Sequence, residues 1–129
     1  MNEGKYLVFK EGDYLLGVNI KELVEIIHID KVVKVPRSPS GFLGVINYRG
    51  EVIPVFSISK KLKNVVIGSK MGIVVNFGGE KFAFNTEEIV DIVSGEMQEI
   101  KGSEIFKGVI KSKDKEFYIL DLSKFIKGR

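Results

Sequence analysis

The chain has 129 residues and a mass of 14.5 kDa, 44% hydrophobic and 29% charged. These are the proportions of a globular protein with room for one domain or two tightly joined small ones. Its 20 basic and 17 acidic residues leave a net charge of +3, a small excess for a nucleic-acid binder, and the absence of cysteine excludes disulfides, thiolate metal sites and a cysteine nucleophile. No apolar run approaches the roughly 20 residues of a membrane span, and the polar start at residues 1–4 runs straight into a strand pattern. Neither a leader peptide nor membrane insertion is expected, and the cytoplasm is the expected location.

In chain order, the apolar runs 6–9 and 14–16 flank Glu11-Gly12-Asp13, which predicts a β-hairpin with glycine in the turn. Asn19 and Glu22 have the N-cap and N3 spacing of a capping box, and the few residues that follow limit it to one turn before a strand over 24–29. His28 shares a face of that strand with Val24 and Ile26 and reads as a structural or edge histidine. After a Pro- and Ser-rich loop over 36–40, residues 44–48 and 51–56 form a second hairpin around Arg49-Gly50. A short helix over 58–62 closes the half. Five short strands in about 60 residues predict a small closed barrel, because closure removes exposed sheet edges.

The second half repeats the first. Residues 12–27 lie over 78–93 without a gap, with identities at Gly12/Gly78, Asn19/Asn85, Glu22/Glu88, Val24/Val90 and Ile26/Ile92, and with Glu25/Asp91 and Leu23/Ile89 conservative. Phe42-Leu43-Gly44-Val45-Ile46 then matches Phe106-Lys107-Gly108-Val109-Ile110, and 55–60 matches 119–124. Blocks in the same order at nearly the same offset indicate duplication. The sequence thus predicts an all-β protein of two five-stranded barrels. Residues 1–64 make the first subdomain and 65–129 the second, they join within 63–70, and exchange of elements between them stays open.

Little catalytic chemistry is available. Gly12-Asp13-Tyr14-Leu15-Leu16-Gly17 has the glycine spacing of a phosphate loop but continues Val18-Asn19 where Lys-Ser/Thr is needed. No cofactor or metal is expected, since His28 has no neighbouring ligands and of the pair Glu87-Glu88 the second already has a capping role. The lysines Lys107, Lys111, Lys113 and Lys115 are interleaved with Asp114 and Glu116 and lack an aromatic ladder, so a solvated hairpin is the reading and a nucleic-acid partner the remote alternative.

The most informative stretch is Phe42-Leu43-Gly44-Val45-Ile46-Asn47-Tyr48-Arg49-Gly50-Glu51-Val52-Ile53-Pro54-Val55-Phe56. It reads as a strand, a turn carrying Arg49 at its tip and a returning strand. A guanidinium on a rigid turn loses little order on binding and can make bidentate contacts. The bland reading is a hairpin whose arginine pairs with Glu51.

This stretch resembles the signature Gly-Val-x-Asn-φ-Arg-Gly-x-φ-φ-Pro-φ (φ apolar) of the CheW family, adaptors that couple chemoreceptors to the chemotaxis histidine kinase. The resemblance covers nearly the whole chain, with departures. Tyr48 replaces the usual aliphatic residue, Ser57 stands where many members have Asp (kept at Asp121), and the loop 94–104 is shorter than in many relatives. The resemblance implies two SH3-like barrels and a non-enzymatic adaptor. Its partners would be a chemoreceptor cytoplasmic tip and the regulatory domain of the kinase, or another kinase or pathway served by the same module. Residue by residue, it implicates Leu23, Glu25, Gly44, Asn47 and Arg49 in partner binding, with Gly50 permitting the turn.

Overall fold

The computed structural model describes residues 3–35, 41–58 and 71–126. The expected loop at 36–40, the helix at 58–62 beyond Ile58 and the join at 63–70 lie outside the described residues. In chain order the elements are β1 (Glu3–Glu11), β2 (Tyr14–Asn19), a 3-10 turn (Ile20–Glu22), β3 (Leu23–His28), β4 (Phe42–Tyr48) and β5 (Glu51–Phe56). The second half supplies β6 (Met71–Phe77), β7 (Glu80–Thr86), β8 (Glu88–Glu96), β9 (Gln98–Glu99), β10 (Phe106–Ser112), β11 (Lys115–Leu120) and the closing helix α1 (Ser123–Ile126). The all-β class is as expected.

The strands form two sheets, ordered β8-β1-β2-β11-β10-β9 and β3-β6-β7-β5-β4. When each strand is replaced by its repeat counterpart (β1 by β6, β2 by β7, β8 by β3, β10 by β4, β11 by β5), the first order becomes the second. The duplication visible in the sequence therefore governs the architecture. Each sheet nevertheless draws on both halves, taking one hairpin from one and its remaining strands from the other. One join between the halves in each sheet is parallel, with Leu16 opposite Tyr118 and Ala83 opposite Val55, and the other, β1 with β8 and β6 with β3, is antiparallel.

The sequence predicts closed barrels of five strands, and the structure differs. Among the described residues one sheet has five strands and the other six, counting the two-residue β9, and neither order closes between full-length strands. The gap is bridged, among the described residues, by short returns of the chain, because a segment that bends past an edge strand presents few residues to a ladder. Beyond β8 the chain pairs as β9 with Gly108 and Val109, and beyond β3 Val33 exchanges two 2.9 Å hydrogen bonds with Val45. Both returns cross over a glycine. A Cβ on Gly44 would lie 2.2 Å from the Val33 carbonyl oxygen, and one on Gly108 2.3 Å from Met97 Cγ. The repeated Phe-x-Gly-Val-Ile block thus encodes a close crossing that only glycine allows.

Alternation of side chains along the strands sorts the interior into three clusters. Ile46, Tyr48, Ile53, Val55, Val74 and Ala83 fill the five-stranded sheet. Tyr6, Val8, Ile110, Phe117 and Ile119 fill the other. The largest cluster lies between the sheets and is itself duplicated. Leu7, Phe9, Leu16 and Val18 of one hairpin meet their counterparts Ile73, Val75, Phe82 and Phe84 of the other, together with Ile58, Leu122 and Phe125. Sharing this layer gives each small subdomain the buried surface it lacks alone.

The repeated capping box is realised only once, and only in part. Asn19 Oδ1 accepts from the Lys21 amide at 2.9 Å, but Glu22 Oε1 has no partner. In the second half Asn85 and Glu88 lie within β7 and β8. A single-residue corner at Glu87 leaves no turn to cap, and the Glu87 amide and Thr86 hydroxyl bond instead to the Lys10 carbonyl. The segment expected as a loop at 94–104 begins with the end of β8 and includes β9.

Candidate partner-binding site

Four of the six implicated residues converge on the seam between β3 and β4, the two edges of the five-stranded sheet. Glu25 sits on β3 just past a bulge, where the pairing with β6 shifts between Leu23 and Glu25. Arg49 and Gly50 form the β4–β5 turn in left-handed backbone, with φ of 49° and 86°. Asn47 Oδ1 accepts from the Gly50 amide at 3.1 Å and so locks that turn from within.

The turn places Arg49 beside Glu25. Arg49 Nη2 and Nε donate to the same oxygen, Glu25 Oε1, at 2.9 and 3.2 Å. The bland pairing with Glu51 does not occur, because Glu51 pairs with Lys81 at 2.9 Å. Tyr48 completes the arrangement, and sequence reading did not place it in the site. Its ring is packed in the sheet's interior, its hydroxyl donates to Glu25 Oε1 at 2.5 Å and accepts from Arg49 Nε at 3.2 Å, and the guanidinium lies 5.6 Å from the ring centroid. The signal was present as the one departure inside the motif, an aromatic hydroxyl where an aliphatic side chain is usual.

Electrostatically this is an exposed latch on a buried post. The side chain of Arg49 is 71% exposed and that of Glu25 37%. The hydrogen bonds from Tyr48, then from Arg49, hold the Glu25 carboxyl below the usual carboxylate range, and the bond to Glu25 raises Arg49. All three contacts use one carboxylate oxygen, Glu25 Oε1. Beside the latch, a cleft of about 410 Å³ runs along the seam between Ile27 and Ile29 on one side and Val45, Asn47 and Val52 on the other. Val33 and Val52 of its lining are exposed.

The remaining two residues stand apart. Gly44 is buried beneath Val33. Leu23 is half-buried against the shared core. His28 lies at the exposed edge, 3.0 Å from Asp30, as expected. Lys111, Lys113 and Lys115 are exposed on the β10–β11 hairpin, with Lys111 3.9 Å from Glu116. Among the described residues no cluster of His, Cys, Asp or Glu could hold a metal, and no helix is long and apolar enough to cross a membrane.

Two sheets sharing one core, with a charged latch on an edge seam, define an all-β module of duplicated halves. The CheW-like domain model matches residues 5–129, and the chain belongs to that family. It is 22% identical to the chemotaxis protein CheW of Treponema pallidum over 139 residues, covering 95% of this chain and 82% of that protein. It is 35% identical to Protein FrzA of Myxococcus xanthus over 60 residues, 46% of this chain and 38% of that one. The match to the CheW of Klebsiella aerogenes is 25% over 100 residues, 75% of this chain and 60% of that protein. In fold it is similar to the scaffolding protein TtCheW of Thermoanaerobacter tengcongensis, with a TM-score of 0.85 and 23% identity over 98% of this chain and 95% of that one.

Proposed function

We propose that this protein is a non-enzymatic, cytoplasmic adaptor that couples a chemoreceptor to the chemotaxis histidine kinase. The observation that carries the reading is the latch: a guanidinium fixed on a left-handed turn, tied to a carboxylate that a buried tyrosine holds in place. Such a group is ordered before binding, so a partner loses less entropy in engaging it. Glu25, Asn47 and Arg49 offer the contacts to a receptor tip. Gly44 and Gly50 act through the backbone they permit, and Leu23 anchors the start of β3 to the shared core. The kinase regulatory domain binds a separate face, and family membership supports both partners. Backbone chemical-shift mapping with a receptor-tip fragment, and then with the kinase regulatory domain, tests this. Shifts from the tip should centre on Glu25, Asn47 and Arg49, with a second, distinct set from the kinase domain. A tip that leaves the seam unperturbed would overturn the reading.

A further inference from the structure

Glu11-Gly12-Asp13 reads as a hairpin turn in the sequence, but Glu11 is the last residue of β1. Alternation places it on the same side as Leu7 and Phe9, in the shared core. It is 1% exposed, and both its carboxylate oxygens are buried without a hydrogen-bond partner. Its repeat counterpart is Phe77, packed against the same core. Where the duplicated scaffold uses an aromatic ring, the first half carries a titratable group.

An ionised carboxylate held out of water with no donor is strongly disfavoured, and a neutral carboxylic acid much less so. We propose that Glu11 is a proton-binding site of the folded protein, and that its ionisation loosens the seam where the β1–β2 hairpin meets the β7–β8 corner. That corner is tied to the residue just before Glu11: the Lys10 carbonyl accepts from Thr86 Oγ1 at 2.8 Å and from the Glu87 amide at 3.2 Å.

Among the charged and titratable groups of the surrounding described residues, Glu87 is the one whose charge bears on the carboxyl. Lys10 and Asp13, on the same hairpin, are exposed. Tyr14 is the register partner of Glu11, and Glu88 on β8 is opposite Lys10. Lys124, on the helix packed against the same core, is exposed. Burial first, and the negative charge of Glu87 second, push the Glu11 carboxyl up to about 7. The unfolded chain has an ordinary carboxyl near 4.3, so the folded state binds the extra proton between those values. The stability this gives is complete below the ordinary value and is lost as pH rises through about 7. The folding equilibrium falls by up to about tenfold per pH unit within the window.

Carboxyl 13C NMR of the full-length protein tests the proposal directly. Glu11 should titrate near 7, and Glu87→Gln should lower its midpoint. The melting temperature of the wild type should fall by several degrees between about pH 5 and pH 8 relative to Glu11→Leu, which lacks this step. A Glu11 resonance that titrates in the ordinary glutamate range overturns the proposal, as do parallel melting profiles for wild type and variant. The wild-type titration decides the matter whether or not Glu11→Leu folds.

Discussion

Tyr48 and Glu25 lie 23 residues apart in the chain and share a 2.5 Å hydrogen bond across the seam between β3 and β4. The phenol ring belongs to the interior and its hydroxyl to the surface, so the bond pins an exposed ion pair to the packed core. Tyr48→Phe keeps the ring and removes the bond. It should cost about 1 kcal/mol of stability, the usual net worth of one such hydrogen bond, measured as a lower denaturant midpoint at unchanged m-value. A variant as stable as the wild type would show the bond to be incidental.

The same bond is the largest of the influences lowering the Glu25 carboxyl. For a carboxyl lowered on folding, the stabilisation is present above the unfolded value and is lost as pH falls through the folded one. The latch should therefore persist at neutral pH and open only in acid, below the ordinary glutamate range. An NMR titration of the Glu25 side chain should place its midpoint there, and Tyr48→Phe should move it back up. Arg49→Ala should raise it by a smaller step, since the tyrosine contribution ranks first.

Arg49→Ala should leave the fold intact, because the side chain is mostly solvated and alanine meets the same left-handed backbone that Arg49 already adopts. Its melting temperature should stay within a few degrees of the wild type. Receptor-tip affinity should fall some thirtyfold or more, the effect of removing an interface anchor. Binding of the kinase regulatory domain should survive. Isothermal titration with each partner separates these outcomes, and normal binding of the tip would show that Arg49 has another role.

Two glycines of the motif should respond very differently to the same substitution. Gly50→Ala meets nothing within 4 Å and only a left-handed φ of 86°, so about 1–2 kcal/mol is expected. Gly44→Ala would drive a Cβ into the Val33 carbonyl and break the Val33–Val45 pairing that bridges the sheet. It should lose more than twice as much, and amide exchange at Val33 and Val45 should accelerate specifically.

The repeat was legible because identities such as Gly12/Gly78 and Asn19/Asn85 keep their order, and from it came the strand content and the Arg49 hairpin. The exchange of hairpins between sheets was not. Apolar alternation says that Leu7 and Ile73 are buried, but equivalent copies present equivalent faces, and the pattern does not say which copy supplies the neighbour. Glu11 was misread as a turn residue because acidic residues beside glycine usually are. The series Leu7, Phe9, Glu11 and the counterpart Phe77 held the contrary signal. Tyr48 was visible as a departure, yet its role needed Glu25, which pattern alone brings no nearer than the adjacent strand.

The exchanged hairpins also bear on how the chain assembles. β1 and β2 are made first, but β2 pairs with β11, Leu16 lying opposite Tyr118, so the hairpin waits with a bare flank until almost the whole chain exists. Pairings this distant in sequence must meet their loop-closure entropy before any contact rewards it, which places folding in the slow range of millisecond-to-second β proteins. During that wait the unpaired edge of β2 is a template for another copy's β11. Refolding at rising protein concentration should accordingly divert chains into swapped dimers, each hairpin completing the sheet of a second molecule.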